Sequence, residues 1–436
     1  MSCSEWKETE IGRIKKEWCV ISLKDCTTKI TDGTHNTVKD DPTGDYYLLS
    51  CKNIKNGMIV LGEKERKINH DTLLKLRSRT GLQLYDILLT TVGTIGESAI
   101  IKQPNIKFEL QRSVAIIRVD KDILLPDFLY YVTKSRIFKS QAEGLVRGSV
   151  QKCLFLGAIG DIKIPLPSLE EQKKIVNVLS YLDNKIELNN EMNRTLEEIA
   201  QSIFKRWFID FEFPNADGKP YKSSGGEMIE SELGMIPKGW EVVTLEDICN
   251  FNSSSYSNKD NWNYINYLDT SNITKNKINN IQRIDCINEK IPSRAKRKVK
   301  KNSIVYSTVR PNQLHYGIIK NPVDNMIVST GFATIDSKYD YIKNDFIYYW
   351  LTQSINTEKL QAIAETSTTA FPAIKAVDIK KMKLVISDKN TIQDISNKLD
   401  KINSYINKLI EEEILLKEIK DTLLPKLISG EINVFY

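Results

Sequence analysis

The chain has 436 residues, 41% of them apolar and 27% charged, which is too long for one ordinary core and predicts two or more domains. No apolar run approaches the roughly 18 residues of a membrane helix, and the polar opening MSCSEWKETE is neither a signal nor a transit peptide, so a cytoplasmic protein is expected. A formal net charge of +6 permits nucleic-acid binding without demanding it, while seven scattered cysteines and three distant histidines offer no metal-ligand spacing.

The first segment shows that the sequence is written twice. Residues 8–25 (ETEIGRIKKEWCVISLKD) align without gaps on 230–247 (ESELGMIPKGWEVVTLED). Glu8, Glu10, Gly12, Ile14, Lys16, Trp18, Val20, Leu23 and Asp25 recur as Glu230, Glu232, Gly234, Ile236, Lys238, Trp240, Val242, Leu245 and Asp247. Further on, Ile87 and Thr91-Val92 match Ile304 and Thr308-Val309, and 127–131 (DFLYY) matches 345–349 (DFIYY). Markers kept in one order at a nearly constant offset imply an internal repeat.

Residues 1–167 read as a compact mixed α/β domain of short β-branched runs and turn signals. Thr31–Gly33 and Asn56-Gly57 are expected turns, Ser113–Val119 a strand and Asp127–Phe138 a helix. Polar and basic side chains punctuate this part: Thr34, His35 and Asn36; Arg66 and Lys67; Arg77 and Arg79; Gln111 and Arg112; then Arg147, Ser149, Gln151 and Lys152. The spacings Gly93-x-x-Gly96 and Gly144-x-x-x-Gly148 are too short for phosphate loops and read as turns.

A long helix is expected over 168–213, with Ser168 as its N-cap and acidic residues in its first turn. Alternating steps of four and three run through Ile175, Leu179, Leu182, Ile186, Asn189, Asn193, Leu196, Ala200, Ile203 and Trp207. The stretch Pro214–Gly226 (PNADGKPYKSSGG), within a connection of 214–229, is the clearest linker. Trp207 and Phe208, just before it, read either as core or as a docking surface.

The second α/β domain spans 230–387, with Ile327–Ile335 an expected strand. Its polar segments are Ser253–Asn258, centred on Ser255, then Arg310, Asn312 and Gln313, then Thr366–Thr369 with Ser367 and Thr368. Between the first two lies the sharpest basic cluster, six cations in the eight residues from Arg294 through Lys296, Arg297 and Lys298 to Lys301. It reads as a solvated loop or a phosphate contact.

A second long helix fills 388–436. Its seam runs through Ile395, Leu399, Ile402, Ile406, Leu409, Glu413, Leu416, Lys420, Leu423 and Leu427, the first seam displaced by 220 residues, and eight of ten positions are apolar in each. Each helix lying on its own domain's core is the alternative to the two packing on each other. A strict 3.5-residue period over nearly five heptads favours pairing as a coiled coil. At about 1.5–3 kcal/mol for each buried apolar side chain, such a seam suffices to hold domains together. The polar interruptions near the middle predict an antiparallel pair in which they meet, and so a pseudo-two-fold molecule. From 175 to 207 an α-helix rises about 48 Å, so domains at its ends would meet DNA one turn, roughly 34–36 Å, or more apart.

At this point the residues resemble a known family. The order domain, helix, domain, helix is similar to the specificity subunit of type I restriction-modification enzymes. The likeness is carried by Ile30–His35 (ITDGTH), Asp86–Gly96 (DILLTTVGTIG), Ile164–Pro167 with Glu171-Gln172, Gln201–Phe208 (QSIFKRWF) and Leu423–Gly430 (LLPKLISG). The second half departs where Ser387–Thr391 lacks the Pro and Glu-Gln of 167–172, and where Arg310-Pro311 replaces Gly93-Thr94.

The resemblance implies a non-catalytic subunit with two target-recognition domains, each reading one half of a split, asymmetric double-stranded DNA target, and helices that fix the gap. It implies two methyltransferase partners using S-adenosylmethionine and, where present, two motor-nuclease partners using ATP and Mg. The chain itself would hold no cofactor or metal and meet no membrane. The basic and polar clusters named above become candidates for phosphate contact and base readout. Missing NPPY or DPPY, Walker A and PD…ExK patterns argue against a methyltransferase or nuclease in its own right. A protein-interaction module on paired helices is the other alternative, and it expects no DNA affinity.

Overall fold

The computed structural model describes residues 5–62, 64–148, 152–367 and 371–434, with the side chain of Asn258 also left out. The chain divides into two compact units, Met1–Ile186 with Ile414–Tyr436, and Glu187–Glu413.

In the first unit the strands of the two main sheets are β1 (Thr27–Asp32), β2 (Tyr46–Leu49), β3 (Lys67–Ile68), β4 (Ile87–Thr90), β5 (Ser98–Ile100), β6 (Phe108–Leu110) and β7 (Val114–Val119). Its helices include α1 (His70–Thr80), α2 (Pro126–Lys134) and α3 (Arg136–Leu145). One sheet has the order β5-β4-β7-β1, all antiparallel; a second runs β6-β2-β3, with β6 parallel to β2. Alternation within near-continuous apolar strands explains the layering. Ile87, Leu89, Ala115 and Ile117 enter the core shared with α2 and α3, whereas Leu88, Val114 and Ile116 enter the core shared with the second sheet.

The second unit repeats this plan with β8 (Cys249–Phe251), β9 (Tyr264–Leu268), β10 (Gln282–Asp285), β11 (Ala295–Lys298), β12 (Ser303–Ser307), β13 (Tyr316–Ile319), β14 (Met326–Ser329) and β15 (Phe332–Ser337). The order β13-β12-β15-β8 reproduces that of the first unit, and β10-β9-β14-β11 reproduces its second sheet with one strand added. Again alternate residues part: Ile304, Tyr306, Ala333 and Ile335 face one core, Val305 and Phe332 the other. The units differ beside the strand parallel to β2 or β9. In the first, α1 lies against β6, and Arg77 of α1 pairs with Glu109 of β6; in the second, β11 covers the edge of β14.

Local readings need correction in four places. The expected helix 127–138 is broken at Ser135, whose hydroxyl accepts from Phe138 N and starts α3. The expected strand 327–335 is two strands, β14 and β15. Gly144 lies inside α3 and is no turn. The expected turn 31–33 is strand through Asp32, paired with Ala115, and Gly33 is required for close approach, since a Cβ there would stand 2.0 Å from the Leu110 carbonyl oxygen. Asn56 and Gly57, with φ of 52° and 83°, do form the turn between Ile54–Lys55 and Met58–Ile59.

Two helices of 40 and 41 residues, α4 (Leu169–Phe208) and, after α5 (Asn344–Leu351), α6 (Lys389–Ser429), each run through both units. Ser168 and Glu171 form a reciprocal capping box on α4. On α6 the missing Pro and Glu-Gln are replaced by Asp388, whose carboxylate accepts from Asn390 N and Thr391 N at 3.0 and 3.1 Å. Each seam position is buried or half-buried. In the second unit Asn189 donates to Glu412 at 2.9 Å and Lys398 stands 4.5 Å from the ring of Trp207, so α6 runs antiparallel to α4 there. In the first unit Lys420 pairs with Asp183, and Ile175, Leu179, Leu424 and Leu427 share one core. The helices thus pack on each other and on the unit cores. Phe204 and Phe208 are core residues beside Phe346 and Trp240, while Trp207 is half-buried under Lys398. The stretch 214–226 is held to that core by Phe213 stacked on Tyr221 and Trp240.

Candidate nucleic-acid interface

In the first unit the ends of β1, β2 and β6 converge. Thr34 N donates to the Leu110 carbonyl at 2.8 Å, Arg112 N to the Thr34 carbonyl at 3.0 Å, and Gln111 N to the Leu49 carbonyl at 2.8 Å. The Thr91 hydroxyl reaches the Arg112 carbonyl, Val92 bridges to Cys153, and Arg147 and Cys153 exchange both backbone bonds. One rim therefore gathers Thr34, His35, Asn36, Gln111, Arg112, Arg147 and Lys152. His35, Asn36, Arg112, Arg147 and Lys152 are exposed, whereas Thr34 is buried. Ser149 and Gln151 lie outside the described residues.

The remaining cations of this unit differ in availability. Arg79 donates to Asp32 at 2.6 Å and to the Gly33 carbonyl, and Asp32 also holds His35 Nε2 at 2.7 Å. Arg79 and His35 line a cleft with Thr34, Asn36 and Lys75, the last of which sequence reasoning missed. Arg66 is exposed in a neighbouring cleft with Lys52, Lys64 and Gln111, and Lys67 is half-buried in β3. Arg77 points inward. Its fork is taken by Glu109 and by the Ile106 and Phe108 carbonyls at 3.2 and 2.8 Å. Burial pushes the Glu109 carboxyl up, with Arg77 opposing the shift.

In the second unit the basic cluster is a strand. Ala295–Lys298 pairs with β14 on one side, and on the other Tyr256 N donates to the Lys296 carbonyl at 2.7 Å and Lys298 N to the Ser254 carbonyl at 3.1 Å. Alternation in the strand leaves Arg294 and Lys296 exposed and Arg297 half-buried, its Nε buried without a hydrogen-bond partner. Lys298 pairs with Asp260 and lies over Trp262. A chain of backbone bonds joins this strand to the rim: Thr330 N to the Arg294 carbonyl, Thr308 N to Gly331, Arg310 N to Pro372 and Ile374 N to Thr308, all 2.8–2.9 Å. Ser255 bridges Arg297, and the Ser367 hydroxyl accepts from Ala373 N. Asn312 and Gln313 are exposed on the same turn as Arg310. Thr368 lies outside the described residues.

The rims are built alike. Thr91 N and Thr308 N donate to Ser113 and Gly331, and Leu154 N and Ile374 N return to Thr91 and Thr308. An array of Arg, Lys, Asn, Gln and Ser donors on rigid strand ends matches phosphate oxygens and base edges. Among the described residues, no group of three or more His, Cys, Asp or Glu converges as a metal site, and no helix is long and apolar enough to cross a membrane.

The chain is thus one α/β unit carried twice, each copy with a donor-rich rim. The type I restriction modification DNA specificity domain matches residues 15–221 and 237–418, and the chain belongs to that family as a non-catalytic specificity subunit. It is 29% identical over 440 residues to the type I restriction enzyme MjaIX specificity subunit of Methanocaldococcus jannaschii, covering 99% of this chain and 97% of that one. The type I restriction enzyme HindI specificity subunit of Haemophilus influenzae is 24% identical over 503 residues, covering 98% and 100%. The crystal structure of the type I restriction-modification S subunit from M. genitalium aligns with a TM-score of 0.57 at 16% identity, covering 97% and 98%, and shares the fold.

Proposed function

We propose that the regions 1–167 and 230–387 each read one half of a split, asymmetric DNA target, and that α4 and α6 set the gap between the halves. The observation that carries this reading is the duplicated rim, the same backbone net around Thr91 and Thr308 bearing different side chains. One scaffold with two different reading surfaces suits an asymmetric bipartite site. Exposed Arg294, Lys296, Arg66 and Lys152 supply phosphate contacts, and His35, Asn36, Gln111, Arg112, Arg310, Asn312 and Gln313 are the base-reading candidates.

Two methyltransferase subunits dock on the long helices. Supporting this, each unit leaves apolar helix side chains outside its core: Tyr181, Ile414 and Leu415 in the first, Leu188, Ile199 and Tyr405 in the second. Two motor-nuclease subunits complete the restriction form. S-adenosylmethionine belongs to the methyltransferase, ATP and Mg to the motor-nuclease, and the assembly works in the cytoplasm. The test is binding of the chain, assembled with its methyltransferase, to a DNA library at increasing salt. Salt-sensitive retention of one split sequence is expected. Retention of no sequence would leave only a protein-interaction role.

A further inference from the structure

We propose that Arg310, braced by Phe371, reads a guanine in the half-site of the second unit. The inference rests on the DNA-reading role above and adds the residue pair and the base. It begins with a difference between two equivalent turns. After β4 the first unit turns through Gly93 and Gly96, with φ of +74° and +89°; after β12 the second turns through Arg310 and Leu314, with φ of 48° and 57°. Left-handed backbone suits glycine and is strained for a side chain. The second unit accepts that strain at position 310, and a side chain stands there that the first unit lacks.

The surroundings of that side chain favour recognition over a structural role. The Arg310 guanidinium carbon lies 4.7 Å from the ring centroid of Phe371, itself 56% exposed. The backbone is pinned on both sides, Arg310 N donating to Pro372 and the Arg310 carbonyl accepting from Gln313 N, each at 2.9 Å. Arg77, Arg79 and Arg118 are all paired with carboxylates, whereas among the described residues none is paired with Arg310. A guanidinium held over an aromatic ring keeps N–H groups of its planar fork available, and its rotamers are restricted before binding. Two parallel donors in a plane fit the O6 and N7 acceptors of guanine in the major groove.

The test uses the chain assembled with its methyltransferase and compares wild type, Arg310→Gly, Arg310→Lys and Phe371→Ala on targets varied one base pair at a time. Arg310→Gly installs the first unit's residue and relieves the backbone, so folding is preserved. It is expected to lose discrimination at one G·C pair of one half-site by about tenfold to a hundredfold, other positions being kept. Arg310→Lys keeps the charge without the fork and behaves like Arg310→Gly; Phe371→Ala weakens the same position by a smaller factor. Equal weakening on every sequence, rescued by Lys, would identify a phosphate contact and overturn the proposal, as would unchanged selectivity in Arg310→Gly. A wild-type complex without any sequence selectivity would instead overturn the DNA-reading role itself.

Discussion

Phe204→Ala tests whether the C-terminal half of α4 is a structural part of the second unit. Phe204 is fully buried, with ring centroids 5.4 Å from Phe208 and 5.2 Å from Phe346, in the core that also holds Ile392, Ile395 and Leu399 of α6. Truncating a buried Phe costs about 3–5 kcal/mol, because lost transfer energy and an unfilled cavity add. The upper half of that range is expected, since two aromatic contacts worth about 0.5–1.5 kcal/mol each go with it. Urea unfolding followed by tryptophan fluorescence reads the second unit through Trp207, Trp240 and Trp350. Tyr181→Ala, at a helix residue 69% exposed, serves as a control expected within about 0.5 kcal/mol of wild type. A loss below about 1 kcal/mol for Phe204→Ala would mean that this helix end does not pack where it is described.

Three further outcomes follow from the same geometry. Glu197 accepts from the Tyr348 and Tyr349 hydroxyls at 3.3 and 3.2 Å, and burial raises its carboxyl above the ordinary range. A raised carboxyl costs stability as pH climbs through its folded value, so Glu197→Gln should match wild type in acid and exceed it in thermal scans near neutral pH; a flat difference would contradict this. Arg77→Met leaves buried Glu109 without its cation and should destabilise by about 3 kcal/mol, more at alkaline than at acid pH, because Glu109 then rises further; lost DNA affinity at unchanged stability would instead make Arg77 a reader. Arg294→Ala with Lys296→Ala should weaken binding to all sequences alike and lower the slope of log affinity against log salt by roughly one to two. Sequence-dependent weakening in the same titration would move them among the base readers.

Much of the architecture was legible because repetition and the 3.5-residue period depend only on side-chain identity and spacing. Both long helices, the seam and the antiparallel pairing in the second unit follow from Ile175 to Trp207 and its copy 220 residues on. The seam was least informative at the end of α4, where Phe204 and Phe208 replace Ile203 and Trp207 as the buried pair. There the helix faces the globular core as well as the other helix, so its buried stripe rotates. Candidate readers were recognisable as residue types but not as available side chains. Nothing in the spacing of Arg77 and Arg79 tells that one turns inward to Glu109 while the other reaches the rim at Gly33. The cluster from Arg294, read as a phosphate contact or a solvated loop, gave no sign of a strand because charge hides β-propensity; pairing with β14 and with 254–256 makes it one. Phe371 escaped notice because its significance is the guanidinium above it.

The most direct measurement is methylation-detecting sequencing of DNA from cells that carry this chain with its methyltransferase and no other modification system. Two short defined blocks separated by a gap of constant length, methylated in both strands, are expected. A single uninterrupted motif, or methylation without sequence preference, would contradict twin readers on one duplicated scaffold.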